Sequence, residues 1–161
     1  MKPDTLEKVL ATLTADNFGA IEASIYFAKF DKNVRLVADK QLDAYDKRCI
    51  ETFFAWRETL FTKLQQASFE YYQAHLDSIG EQVEITSAEI WNHCQPMNIH
   101  FKSSQQDPFS TFIDVELECD WEIEHGMQWL VKNTDELIFA GPYNGHADPD
   151  RKLDVSWWNF A

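Results

Sequence analysis

The chain has 161 residues, 45% of them hydrophobic and 14% aromatic, which is one domain's worth of sequence with ample core material and rules out global disorder. Its net charge is −13, from 27 acidic against 14 basic residues; that argues against nucleic acid or an anionic membrane as partner, since both need a cationic face, and suits a basic protein better. Three cysteines, Cys49, Cys94 and Cys119, stand at wide spacing without a CxxC pair and read as reduced, buried thiols rather than a disulfide framework.

Asp4-Thr5-Leu6-Glu7 reads as a helix N-cap with a Glu three residues on, and Leu6, Val9, Leu10 and Leu13 follow at helical spacing, predicting a first helix that ends near Asn17-Phe18-Gly19. From Ile21 the period changes to two, giving a strand through Phe27, a turn at Asp31-Lys32-Asn33 and a second strand over Val34 to Ala38. Between Leu42 and Leu76 there is no Gly or Pro. Leu42, Tyr45, Cys49, Phe53, Trp56, Leu60, Leu64, Ala67 and Tyr71 recur by threes and fours, so a long aromatic helix, or two with a bend near Gln65 to Ser68, lies across a sheet. Thr86-Ser87-Ala88-Glu89 is a capping box for a short helix that Pro96 stops, and a strand follows over Met97 to Lys102.

A polar loop then leads into the most strongly alternating stretch, Phe112 to Glu124. Met127 to Val131 and Leu137 to Ala140 read as two further strands, and the tail around Trp157-Trp158 reads as docked. The expected architecture is a single α+β domain over residues 1–161, an antiparallel sheet covered on one face by a long aromatic-rich helix and shorter helices. No run approaches the roughly 20 apolar residues of a membrane span, and no secretory signal is visible. A cytoplasmic protein is therefore expected.

Ile113, Val115, Leu117, Cys119, Trp121 and Ile123 alternate with Asp114, Glu116, Glu118, Asp120, Glu122 and Glu124, so one continuous strand sets six apolar side chains on one face and six carboxylates on the other. Neighbours in that row stand about 7 Å apart, inside a physiological Debye length of about 8 Å. Residues 107–161 hold twelve acidic residues against Lys132, Arg151 and Lys152, a net of −9, whereas the first 106 carry −4. The expectation is an unneutralised row, ending at His125, that attracts a cationic protein.

The row runs into Cys119-Asp120-Trp121-Glu122-Ile123-Glu124-His125-Gly126, with Gly126 suited to the left-handed position of a hairpin loop. Here the chain resembles a bacterial family of unknown function whose signature is an acidic residue and Trp, a short acidic spacer and Glu-His-Gly at a hairpin; some members resemble immunity proteins of polymorphic toxin systems. Phe69-Glu70-Tyr71-Tyr72 and Ile90-Trp91 extend the likeness over roughly residues 20–142. The resemblance implies a cytosolic inhibitor that binds a toxin and occludes its active site.

No GxGxxG, Walker loop, GxSxG, HExxH or EF-hand loop is present, and no cysteine is placed as a nucleophile, so neither an enzyme nor a cofactor is expected. The partner-binding residues expected are Asp114, Glu116, Glu118, Asp120, Glu122, Glu124 and His125, with a basic toxin or other cationic protein as partner. The alternative is a metal-binding module or metal-dependent hydrolase centred on Glu122, Glu124 and His125, joined by His146 or Asp148, because alternate strand residues share a face and hard cations take carboxylate oxygens. The blandest reading is a scaffold protein whose acidity serves solubility.

Overall fold

A computed structural model describes residues 5–145, 147–153 and 158–161. Helix α1 (Leu6–Ala11) starts where the Thr5 hydroxyl accepts the Lys8 N–H at 3.3 Å. It is shorter than its apolar spacing predicts: Thr12 turns away to bond Ser24, its hydroxyl accepting the Ser24 N–H at 2.8 Å, and residues Thr14–Ala15 form strand β1. Strands β2 (Ile21–Phe27) and β3 (Lys32–Ala38) follow as a hairpin, closed by a 3₁₀ turn at Ala28–Phe30 and by Asp31 at φ 50°.

Helix α2 (Ala44–Phe54) opens on a capping box in which Asp43 and Asp46 each accept the other's backbone N–H, at 3.0 and 2.9 Å. Helix α3 (Glu58–Ser78) continues after a break at residues 55–57, not at the expected bend near Gln65. The break has a packing reason. It lets Phe53, Trp56 and Phe61 all turn toward the sheet, where each ring meets Phe27 at 4.9 to 6.1 Å.

After a 3₁₀ helix at Ser87–Asn92, whose capping box joins Thr86 and Glu89, come strands β4 (Cys94–Lys102), β5 (Phe112–Cys119), β6 (Met127–Lys132) and β7 (Glu136–Pro142). All seven strands form one sheet in sequence order. Every neighbouring pair is antiparallel except β3 and β4, which are parallel because α2, α3 and the 3₁₀ helix carry the chain back between them.

The parallel pair is short, with only Arg35↔Asn98 and Leu36↔Ile99 in register. On the Arg35 side it is cut short at Pro96 and the bulge between Pro96 and Asn98. Proline is tolerated in β4 because its nitrogen faces β3 rather than β5, and it has no N–H to offer β3. Below Arg35 the two strands therefore share no backbone ladder, and that gap positions the groove described below.

The core lies between the inner sheet face and α2 and α3, with Trp129 fully buried and its indole N–H donating to Ser68 Oγ at 3.0 Å. Cys49, Cys94 and Cys119 are free and buried, as their apolar positions predict. The outer face carries one small apolar cluster of Phe112, Leu130, Phe139 and Ala147. The final residues close the β7 edge: the Phe160 N–H donates to the Ala140 carbonyl at 2.9 Å, and the Asn159 side chain accepts from Ala140 and donates to Ile138. Trp158 packs edge-on to Tyr71 at 6.4 Å, while Trp157 lies outside the described residues. Among the described residues, no helix is long and apolar enough to cross a membrane.

Candidate functional site

The alternating acidic run does not form one strand. β5 ends at Cys119, and residues 120–126 turn back so that Met127 can pair with Leu117. Ile123, which the alternation places in the core, is 86% exposed on that turn. The expected row of six carboxylates in water is thus broken: neighbours engage Asp114, Glu116, Asp120 and Glu122, while Glu118 and Glu124 stay exposed.

Asp114 leaves the row altogether, since it is only 3% exposed. The outer apolar cluster closes over this end of β5, with Leu130 directly opposite on β6. Lys102 Nζ stands 3.1 Å from its carboxylate, and the Gln128 amide donates to it at 2.8 Å. Burial pushes the Asp114 carboxyl above the ordinary range, against the pull of Lys102 and Gln128. A partner cannot reach it.

Glu116 is tied into a chain that crosses four strands. It accepts from Asn98 Nδ2 at 2.8 Å; Asn98 Oδ1 accepts from Arg35 Nε at 2.9 Å; Arg35 Nη1 reaches Glu22 at 3.2 Å. His100 Nε2 lies 3.6 Å from the same Glu116 carboxylate. One row further down, Glu118 sits opposite Gln95, and Gln95 Oε1 accepts instead from Lys32 Nζ at 3.3 Å. Glu118 and Glu124 have no ion-pair partner among the described residues. Asp120 meets His93 Nδ1 at 2.8 Å.

Glu122 organises the turn. Its carboxylate accepts the backbone N–H of Glu124 at 3.0 Å and of His125 at 3.2 Å, and His125 Nδ1 lies 3.0 Å away. Gly126 follows at φ 71°, and a Cβ there would sit 2.3 Å from the Leu117 carbonyl oxygen, so only glycine fits. From beneath, Trp121 packs edge-on against Tyr71 and Tyr72 of α3 at 5.9 and 5.4 Å, and the Tyr71 hydroxyl donates to the Gly126 carbonyl at 3.4 Å. The aromatic helix therefore holds the Glu-His-Gly turn in place, which joins two features that sequence shows only as separate motifs.

These groups line a groove of about 1110 Å³ over the gap between β3 and β4. One wall carries Lys32 and Arg35; the other carries Glu116, Glu118, Asp120, Glu122, Glu124 and His125, with Ile123 and Met97 offering exposed apolar contact. Of the expected site residues, six of seven converge here and Asp114 does not. Arg35, Lys32, Asn98 and His93 were not legible as site residues, because strand pairing across 60 residues of sequence brings them in; only the bulge-forming Pro96 hinted at an irregular sheet.

Among the described residues, the turn is where a metal could be held. One ligand atom each of Glu122, Glu124 and His125 lies within 4.8 Å of the others. Asp148 is not part of that group and instead accepts the Asp150 N–H at 2.8 Å, while His146 lies outside the described residues.

Comparison with known proteins adds a family and no function. No curated protein and no solved structure matches the chain. Residues 9–147 match the family described as a domain of unknown function (DUF6985), and the chain belongs to that family.

Proposed function

We propose that this chain is a non-enzymatic protein-binding module, an immunity-type inhibitor that neutralises a cognate toxin by seating a cationic surface of it in the acidic groove. The observation that carries this reading is the meeting of five carboxylates with the bare side chains of Ile123 and Met97 in one concavity. Charge alone serves solubility; charge beside exposed apolar anchors is the composition of a contact surface. The net charge of −13 favours encounter with a basic protein over long range, and Glu118 and Glu124, which have no ion-pair partner among the described residues, contribute attraction there.

The test measures association of the full chain with purified basic toxin domains, at low and at physiological salt. With a domain that binds, Glu118→Lys together with Glu124→Lys slows association at least ~10-fold, and salt narrows the difference. Unchanged association after this reversal rejects the groove as the contact surface. In cells producing that toxin, the wild-type chain restores growth and the charge-reversed chain does not.

A divalent cation at the turn is the second reading, favoured by the spacing of Glu122, Glu124 and His125. Against it, the Glu122 carboxylate is already spent on two backbone N–H groups and on His125. Melting curves with Ca²⁺, Mn²⁺ or Zn²⁺, and after chelation, separate the two: a cation held there raises the midpoint, and Glu124→Gln removes the rise.

A further inference from the structure

Cys94 opens β4, Cys119 closes β5, and the two are direct partners in the antiparallel register. Such partners alternate between pairs that exchange both backbone hydrogen bonds and pairs that exchange none, the latter bringing their side chains closer. Two backbone facts place this pair in the second class. The Asp120 N–H donates to the His93 carbonyl at 3.0 Å, which is the bond that brackets a non-bonded pair from outside. Pro96, two residues along β4 and opposite Leu117, has no N–H to give and so requires a non-bonded position; positions two apart belong to the same class.

In pairs of this class the Cα atoms stand about 4.5 Å apart, within the roughly 4.4–6.8 Å that a disulfide spans. Both side chains point to the core face, 1% and 4% exposed, and both thiols are free. Cys49, on α2, has no such partner across a strand.

We propose that Cys94 and Cys119 are a reversible redox pair that closes into a cross-strand disulfide, stapling together the two strand ends from which the acidic turn hangs. The oxidant is a low-molecular-weight disulfide. The Cys119 thiolate attacks one of its sulfurs, the small S–S bond breaks, and the released thiolate takes up a proton. The Cys94 thiolate then attacks the Cys119 sulfur of the mixed disulfide and releases the second small thiol. Two protein thiols are oxidised, one small disulfide is reduced to two thiols, and the two thiol protons end on the leaving groups.

Burial pushes both thiols up, Cys94 to about 12, so neither reacts while the strands are closed. The cysteines lie at strand ends beside the groove, where local opening costs least. Exchange is therefore slow, paced by that opening, and self-terminating once the pair closes.

The experiment incubates the full chain with glutathione disulfide, blocks remaining thiols with an alkylating reagent and maps the peptides. Expected are an intact mass lower by two hydrogens before blocking, a Cys94–Cys119 crosslinked peptide and an alkylated Cys49. The melting midpoint rises on the order of 5–10 °C and returns with dithiothreitol. Cys49→Ser forms the same crosslink, so nothing depends on a buried Cys94 or Cys119 variant folding. A bond that includes Cys49, a glutathione adduct that persists on either thiol, or three free thiols after prolonged oxidation each overturns the proposal.

Discussion

At the Phe112 end of β5, Asp114 is buried between Lys102 and Gln128; past the Cys119 end, Glu122, Glu124 and His125 ring the turn, and Glu118 and Glu124 have no ion-pair partner among the described residues. These groups come from one alternating run, yet they are under different constraints. A buried carboxylate is worth what its partners are worth, because removing it leaves the Lys102 cation without its counter-charge and the Gln128 amide without that acceptor. An exposed carboxylate contributes little to folding and keeps its attraction for a visitor. One end of the strand thus serves stability and the other is free to serve recognition.

The largest effect expected is at the buried end. Asp114→Ala takes the charged partner from Lys102 Nζ, which keeps only the Ala147 carbonyl, and the acceptor from the Gln128 amide; it costs about 2–3 kcal/mol, less than a fully buried broken pair because Lys102 remains 30% exposed. Urea unfolding measures this. A loss under ~0.5 kcal/mol would mean that Asp114 is as idle as a surface charge and that the two ends do not differ.

Asp114→Asn sharpens the same point through pH. The folded-state value of Asp114 is raised by burial, so the native state holds this proton more tightly than the unfolded chain does. Its contribution is therefore fully present below the unfolded value near 3.8 and is lost as pH rises through the raised one. Relative to Asp114→Asn, which cannot titrate, the wild type is most stable in acid and loses ground toward neutrality. A difference that is flat with pH, or one that grows toward neutrality, contradicts the burial.

How far this was readable from sequence depends on where each signal comes from. The alternation of Ile21 to Phe27, the Thr86/Glu89 box and the stripe from Tyr45 to Tyr71 are local, and the elements they predict are present. The break at Ala55 was not readable, since nothing in that helical stripe marks it; tertiary packing of Phe53, Trp56 and Phe61 on Phe27 accompanies it. The acidic run misled because period two persists through Asp120 to Glu124 although the partner strand must begin at Met127. Alternation reports a pattern that suits a strand, and pairing decides where the strand stops. The fate of Asp114 was equally hidden, because the residues that meet it, Lys102, Gln128 and Leu130, come from the two neighbouring strands.

The smallest effect on stability is expected at the open end, and it is the most discriminating. Glu118→Gln together with Glu124→Gln removes two charges that no described cation neutralises, so the folded state loses no ion pair and sheds repulsion from Asp120 and Glu122 nearby. Stability should shift by less than ~0.5 kcal/mol, and toward greater stability at low salt, where screening is weakest. Association with a cationic partner should slow under the same conditions, because the attraction removed was directed outward. Opposite signs in the two measurements, from one pair of substitutions, are what a charge kept for recognition predicts. A clear loss of stability would instead assign Glu118 and Glu124 to the framework, alongside Asp114.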